Sequence, residues 1–201
     1  MSLSFRMIIV LTSIGLLSGG LLVSVGFLTK ERIALNKQRE IEAAITAVVP
    51  GTSSSQKLYE EKDFTIYAGK DEGGNLLGFA LNTSAAGFQD KIILLVGINA
   101  DLTKINSLYV LDQKETPGLG AKITDRESFL VFWENKDCSG PLKLRKPPVA
   151  SPEQLSPSEV NTISGATVSS EAVLSAVNGS LEKIKKLKTD GKLIVEGKNG
   201  D

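Results

Sequence analysis

The chain has 201 residues, with 23 basic and 23 acidic side chains, no histidine and one cysteine. The balanced charge argues against nucleic-acid binding, which requires a basic excess or a basic stripe. The missing histidines exclude Ser-His-Asp and Cys-His hydrolases and most zinc sites, and the single cysteine excludes an internal disulfide, a CxxC pair and a four-thiolate cluster, so any redox chemistry requires a bound organic cofactor.

An uncharged apolar segment lies near the N-terminus, where residues 7–28 read MIIVLTSIGLLSGGLLVSVGFL. As a helix it measures about 33 Å, enough to cross a hydrocarbon core of about 30 Å. The alternative is a cleaved signal peptide, but the apolar run exceeds the usual signal core of about 7–15 residues and no small-x-small cleavage site follows. We therefore expect a tail at residues 1–6 and an uncleaved transmembrane helix at residues 7–28.

Charge alone does not fix the side of the membrane on which the following domain lies. Arg6 precedes the span, and four cations soon follow it: Lys30, Arg32, Lys37 and Arg39. Counted alone, these cations favour a cytoplasmic domain, but long domains translocate largely regardless of such counts. Small residues in the span permit contact with a partner helix, although they are also ordinary for a transmembrane segment.

A second helix is predicted at residues 29–51, which we interpret as a stalk between the membrane and the domain. Its apolar residues recur at helical spacing, and Pro50-Gly51 provides a conventional end. These residues are Ile33, Ile41, Ala44, Ile45 and Val48. The segment TSSSQ that follows has the composition of a polar linker.

Four apolar segments predict an antiparallel sheet of hairpins. They are DFTIYAG, GGNLLGFAL, KIILLVGIN and INSLYVLDQ, separated by turn sequences such as NADLTK. Alternation in the first segment puts Phe64, Ile66 and Ala68 on one face.

The rest of the chain mixes loops with helices. The glycine-rich loop ETPGLGAKI leads to a short helical patch, DRESFLVFWEN, and then to a proline-rich stretch containing Cys138, which we expect to be a small packing residue. A last helix is predicted from its apolar spacing, with Val173, Ala176, Val177, Leu181 and Ile184 on one face. We predict an α+β domain over residues 52–190, and a polar tail at residues 191–201 with a weak strand pattern, KLIVE.

The start of this last helix is rich in hydroxyl groups, in the stretch NTISGATVSSEAV. A helix N-terminus carries free N–H groups and a partial positive charge, and it therefore attracts phosphate. We expect Ser169 or Ser170 to cap the helix, with Glu171 in its first turn. These residues fit either a well-capped helix or a phosphate site.

The SGAT sequence resembles the flavinylation motif of the FMN-binding domain family. In that family a dedicated flavin transferase esterifies the phosphate of FMN to the threonine hydroxyl. The resemblance implies that Thr167 is the attachment residue and that four neighbours contact the cofactor: Ser164, Gly165, Ala166 and Ser169. The family often has Asp three residues before the serine, whereas this chain has Asn161, which keeps the hydrogen bonding and loses the charge.

A second stretch, KETPGLGAKI, resembles a loop of two related proteins: the G subunit of the Rnf ferredoxin:NAD⁺ oxidoreductase complex and the C subunit of the sodium-pumping NADH:quinone reductase. Physically, Pro117-Gly118 favours a tight turn, and the glycines can bring backbone amides close to a planar ring. The resemblance implies that this loop contacts the flavin through Glu115, Thr116, Gly118, Leu119 and Gly120.

The resemblance extends over nearly the whole chain and implies a function. It implies a membrane-anchored electron-transfer subunit with covalent FMN in an Rnf-type complex, with no catalytic residue and no metal of its own. Its expected partners are the other membrane and redox subunits and a flavin transferase. The FMN domain is expected on the extracytoplasmic side of the cell (inner) membrane, and the chain is expected to be inactive alone. The alternatives are the sodium-pump C subunit, an FMN-binding sensory or regulatory module, and a structural assembly protein in which SGAT is a plain helix cap.

Overall fold

The computed structural model describes residues 2–193, and the chain divides into two compact units after residue 41. One continuous helix, α1 (Leu3–Val48), forms all of the described part of the first unit and enters the second. Its most apolar 18-residue window has a mean hydropathy of 2.3, and none of this window is buried. By length and composition, α1 can therefore cross a membrane.

The last turns of α1 are part of the second unit. Ala44, Ile45 and Val48 are each at most 1% exposed, as their helical spacing predicts. Ile33, which shares that spacing, is 62% exposed, so the buried stripe is limited to the C-terminal end of the helix. The helix ends at Val48, two residues before Pro50.

The second unit is built on a five-stranded antiparallel sheet whose strand order follows the chain. The strands are β1 (Ser54–Glu61), β2 (Phe64–Lys70), β3 (Leu76–Ala86), β4 (Lys91–Asn99) and β5 (Ile105–Asp112). The four predicted segments form β2 to β5, and the hairpin across NADLTK is confirmed. The interpretation of TSSSQ as a linker is wrong from Ser54 onwards, because this polar segment begins the edge strand β1, whose residues are mostly exposed.

The two faces of the sheet pack against different helices. One face supplies alternate residues of the main core, among them Ile66 and Leu94, which pack with the apolar side of α2 (Thr167–Thr189). The other face receives the end of α1. A side chain at Gly97 of β4 would overlap the backbone of Val48, so this glycine permits the close approach of helix and strand.

The segment between β5 and α2 wraps the core with short elements. It contains 3₁₀ turns at Gly120–Thr124, Leu130–Trp133 and Pro152–Gln154, and a parallel strand pair, β6 (Lys143–Arg145) and β7 (Glu159–Asn161). The predicted aromatic patch forms one of these turns, where Phe129 and Trp133 meet edge to face with ring centroids 5.8 Å apart. Cys138 lies in the core, as expected for a packing residue, and burial raises the pKa of its thiol. Most of the predicted KLIVE strand lies outside the described residues.

Candidate functional site

The two motifs that the sequence singled out meet in one pocket of about 350 Å³. This volume lies in the range of about 300–1,000 Å³ that is common for small-molecule sites. Eight of the predicted site residues line the pocket: Glu115, Thr116, Leu119, Gly120, Gly165, Ala166, Thr167 and Ser169. Ser164 and Gly118, also predicted, are exposed and are not among the lining residues. Phe88 and Val168 line the pocket although no sequence motif marks them.

One side of the pocket, here called the carboxylate wall, consists of Glu115, Gly120 and Ser169. Glu115 is 4% exposed, and its carboxylate accepts hydrogen bonds from the Ser169 hydroxyl (2.5 Å) and from the backbone N–H of Gln89 (3.0 Å). The carboxylate thus joins three elements: its own loop, the turn between β3 and β4, and the first turn of α2.

Glu115 is ionised in this position. Burial raises the pKa of its carboxyl, but hydrogen bonds from the Ser169 hydroxyl and from the backbone of Gln89, Phe88 and Asp90 together outweigh burial and hold the pKa below its ordinary value of 4.5. A carboxylate that accepts several hydrogen bonds keeps its charge even when it is shielded from water. The wall therefore holds a satisfied anion.

Gly120 is required by this arrangement. A Cβ at Gly120 would lie 2.5 Å from Glu115 Oε2 and 2.6 Å from Ser169 Oγ, where it would separate the two hydrogen-bonded groups. Gly118 has open space around its Cα but a positive φ of 77°. The two glycines of the loop thus serve different purposes: Gly120 allows close packing, and Gly118 allows the turn.

The other side of the pocket, here called the helix mouth, consists of Gly165, Ala166, Thr167 and Val168. Helix α2 begins at Thr167, and Ala166 is its N-cap residue without a side-chain hydrogen bond. The prediction that Ser169 or Ser170 caps the helix is therefore wrong, as is the placement of Glu171 in the first turn. Both serines lie inside the first turn because the helix starts earlier than the sequence pattern indicates.

Each serine in this turn already has a hydrogen-bond partner. The Ser170 hydroxyl donates to the Ala166 carbonyl (3.0 Å) and accepts from the Ile163 N–H (3.1 Å), which closes the turn before the helix. The Ser169 hydroxyl donates to Glu115. By contrast, the half-buried Thr167 hydroxyl has no hydrogen-bond partner among residues 2–193, and no group in that range accepts from the backbone N–H groups of Thr167, Val168 and Ser169.

Asn161, where the family often has Asp, has a structural role. Its side chain is 3% exposed and forms two hydrogen bonds with the backbone of Val149: Nδ2 donates to the carbonyl (2.9 Å) and Oδ1 accepts from the N–H (3.0 Å). A carboxylate could accept but could not donate. The amide therefore fits its surroundings in this chain.

The described residues that line the pocket carry little charge. The described residues contain no group of three or more His, Cys, Asp or Glu side chains suited to a metal ion. Glu115 is the one charged residue that lines the pocket, and its carboxylate is occupied by hydrogen bonds. Among the described residues, the Thr167 hydroxyl and the N–H groups beside it have no hydrogen-bond partner, an arrangement suited to a phosphate group.

Comparison with known proteins agrees with this chemistry. Residues 87–182, which include both sides of the pocket, match the model of a family described as the FMN-binding domain. Over these residues the chain is similar to the FMN-binding domain family. The matched part begins at the turn between β3 and β4 and ends within α2.

Similar proteins carry the names that the sequence resemblance predicted. The G subunit of an ion-translocating oxidoreductase complex from Methanosarcina acetivorans is 34% identical over 59% of this chain and 57% of its own length. The G subunit of a complex of the same name from Pseudoalteromonas atlantica is 27% identical over 86% of this chain and 84% of its own. The G subunit of a Na⁺-translocating ferredoxin:NAD⁺ oxidoreductase complex from Acetobacterium woodii is 29% identical, and the chain spans 58% of it. The resemblance to G subunits is thereby confirmed.

Two solved structures share the fold of the FMN-binding domain. NqrC of Shewanella oneidensis matches with a TM-score of 0.52 at 21% identity, over 71% of this chain and 74% of its own. The C subunit of the Na⁺-translocating NADH-quinone reductase from Parabacteroides distasonis matches with a TM-score of 0.53 at 19% identity, over 73% and 80%. The predicted α+β fold, with an N-terminal apolar helix and an antiparallel sheet, is confirmed.

Proposed function

We propose that the chain carries FMN joined through its phosphate to Thr167 Oγ1. This proposal rests on which hydroxyl groups between residues 162 and 170 are hydrogen-bonded and which of them line the pocket. Ser169 and Ser170 are engaged in hydrogen bonds, while Thr162 and Ser164 do not line the pocket. Thr167 alone among them offers an unengaged hydroxyl to the pocket.

The N-terminus of α2 suits a phosphate attached at that atom. The N–H groups of Thr167, Val168 and Ser169 have no acceptor among the described residues, and the helix dipole adds partial positive charge at the same end. A phosphoester on the first residue of the helix would lie next to these donors. The donors would otherwise have to be satisfied by water.

The charge of the pocket favours a covalent link over reversible binding. Of the described residues that line the pocket, none is a lysine or an arginine, and the charged one, Glu115, is an anion. Free FMN carries a phosphate of about −1.5 to −2 at pH 7, since its second pKa is about 6. Esterification to Thr167 removes one ionisable oxygen from the phosphate and so lowers its negative charge. The covalent bond then retains the phosphate without a cationic side chain. On a separate flavin transferase, Thr167 Oγ1 would form a bond to the phosphorus of the FMN half of a flavin dinucleotide. The phosphoanhydride bond of the dinucleotide would break, and the nucleoside monophosphate and the hydroxyl proton would leave.

When bound, FMN would supply the electron-transfer chemistry, and the chain would supply binding and orientation. Gly165 to Thr167 would hold the phosphate end, and the loop from Glu115 to Gly120 would border the rest of the cofactor. We infer that the chain is an electron-transfer subunit of an ion-translocating ferredoxin:NAD⁺ oxidoreductase of the Rnf type. Its partners would be the other membrane and redox subunits, with α1 as the membrane anchor through residues 7–28.

The C subunit of a sodium-translocating NADH:quinone reductase is the second candidate. The similarity of fold to two such proteins favours it. The names and the higher identity of the G-subunit relatives favour the Rnf-type assignment. A sensory module that holds FMN reversibly is disfavoured because no cationic side chain is among the described residues that line the pocket.

Covalent attachment is tested on a denaturing gel viewed under ultraviolet light, with the full chain expressed together with a flavin transferase. We expect a fluorescent band at the mass of the chain, and no band when the transferase is omitted. A chain that binds flavin in native buffer but shows no band after denaturation would support the sensory module instead.

The carrier function is tested by removing the anchor. A chain without residues 1–29 should remain soluble and accept flavin, but should not restore coupled electron transfer in membranes that lack the full-length protein. If the soluble domain oxidised NADH with an acceptor and without partner subunits, it would be a stand-alone flavoenzyme.

The domain is proposed to lie on the extracytoplasmic side of the cell membrane. A Lys198→Cys variant treated with a cell-impermeant maleimide tests this side, and Cys138 does not interfere because it is fully buried. Labelling of intact cells is expected; labelling only after lysis would place the domain in the cytoplasm.

A further inference from the structure

The pocket has an apolar rim that the proposed attachment of FMN leaves unexplained. Outside α1, the described chain has four exposed large apolar or aromatic side chains: Phe88, Tyr109, Leu119 and Val168. All but Tyr109 line the pocket. Phe88 is the most exposed, at 70%, in a turn that needs no aromatic residue for its own geometry. Apolar groups that gather around one cavity mark a binding surface.

The turn that carries Phe88 is fixed against the pocket. Gly87 donates to the Asp90 carbonyl (2.8 Å), and the Gln89 N–H donates to Glu115 Oε1 (3.0 Å). The Gln89 side chain also donates to Thr116 Oγ1 (2.9 Å). Hydrogen bonds hold both residues next to Phe88. The backbone therefore keeps Phe88 at the edge of the pocket.

We propose that Phe88 packs against the isoalloxazine ring of the FMN carried by Thr167, with Leu119 and Val168 completing the apolar surface. This inference rests on the proposed function. The ribityl chain separates the phosphate from the ring, so a cofactor attached at the helix mouth has to place its ring away from Thr167. The ring is broad, aromatic and apolar on both faces, and it matches the rim in chemistry.

The carboxylate wall does not match the isoalloxazine ring in this way. Glu115 and Ser169 are hydrogen-bonded to each other, and Gly120 has no side chain. Aromatic rings prefer offset or edge contacts at centroid distances of about 4.5–7 Å. Of the residues that line the pocket, Phe88 is the one that can make such a contact.

The test replaces Phe88 with tryptophan in the full-length, flavin-loaded protein and measures flavin emission. An indole in contact with an excited flavin donates an electron to it and quenches the emission. We expect emission from Phe88→Trp to fall at least fivefold below that of the matched control Tyr109→Trp. Tyr109 is also an exposed aromatic residue, but it lies on β5 between Leu108 and Val110, which face the main core, and it therefore points to the opposite face of the sheet.

A second variant, Phe88→Ala, guards against misfolding of the tryptophan variant. Loss of the phenyl ring should increase quenching of the flavin by iodide at least twofold, while Tyr109→Ala should leave it unchanged. Equal emission from the two tryptophan variants, or unchanged iodide quenching in Phe88→Ala, would overturn the inference. Emission is measured again after denaturation to determine how much flavin is attached. Absence of flavin from the parent protein would refute the proposed function. Attached flavin whose emission does not change in the Phe88 variants would refute only the role of Phe88.

Discussion

The two sides of the pocket differ in whether their polar groups are already satisfied. On the carboxylate wall, Glu115 is buried and accepts hydrogen bonds from Ser169 and Gln89. At the helix mouth, the Thr167 hydroxyl and three N–H groups find no partner among the described residues. The wall maintains the shape of the pocket, and the mouth is available for a ligand. Two hydroxyls of the same helical turn thus have different roles.

Substitution of these two hydroxyls separately gives the largest expected contrast. Thr167→Ala should abolish the covalent flavin and change the free energy of unfolding by no more than about 0.5 kcal/mol, because the hydroxyl has no hydrogen-bond partner among residues 2–193. Ser169→Ala should keep the flavin and destabilise the full chain by about 2 kcal/mol, because a buried carboxylate loses a donor. Thr167→Ser should retain partial labelling, since the hydroxyl survives.

The measurement combines intact mass with chemical denaturation in detergent. The mass reports attached FMN, and the denaturation midpoint reports stability. Covalent flavin retained in Thr167→Ala, or lost in Ser169→Ala at normal stability, would reverse the assignment of the two sides.

The two glycines of the loop offer the next contrast. Gly120→Ala inserts a Cβ between Glu115 and Ser169 and should cost about 3 kcal/mol, the upper part of the range for overpacking. Gly118→Ala meets open space and should cost about 1 kcal/mol, for its positive φ alone. Thermal unfolding of the two variants checks the order. Equal losses would mean that the Glu115–Ser169 contact does not restrict residue 120.

Asn161→Asp restores the residue that the family often has. We expect no gain in flavin attachment and a loss of about 2 kcal/mol, because the carboxylate cannot donate to the buried Val149 carbonyl. Flavin stoichiometry and the denaturation midpoint are measured side by side with the parent chain. Higher stoichiometry with unchanged stability would show that the charge at this position matters for attachment.

The smallest effect expected is a change in pH dependence. In the folded chain the pKa of Glu115 is lowered, so its contribution to stability is present above the ordinary pKa of 4.5 and is lost as the pH falls through the folded value. Glu115→Gln cannot titrate and should be about 1 kcal/mol less stable at pH 7, the difference between charged and neutral hydrogen bonds. The gap between the two proteins should close below pH 4.5. A gap that stays constant down to pH 3 would mean that folding does not lower the pKa of Glu115.

Sequence patterns predicted the elements that bury an apolar face. β2 follows the alternation of Phe64, Ile66 and Ala68, and β3 to β5 follow the other three apolar segments. Helix α2 follows the apolar spacing that begins at Val173. The strand β1 was missed because Ser54–Glu61 forms an exposed edge with few buried side chains. A hydrophobic pattern indicates which side chains are buried, and an exposed edge strand buries too few side chains to show such a pattern.

The start of α2 and the rim of the pocket show a different limit. Thr167, Ser169 and Ser170 all have the chemistry of helix caps, so the sequence could not identify which residue begins the helix. Phe88 carried no signal because its significance depends on Glu115, 27 residues further along the chain. The ETPGLG and SGAT motifs were recognisable by resemblance, but the hydrogen bond from Ser169, two residues after SGAT, to Glu115 of ETPGLG required the structure.

The most direct test of the account is peptide mapping by mass spectrometry of the full chain expressed with a flavin transferase. We expect the peptide containing Thr167 to gain the mass of one FMN less one water, and its fragment ions to place the addition on Thr167. FMN on Ser164 or Ser169, or a chain with no covalent FMN, would contradict it.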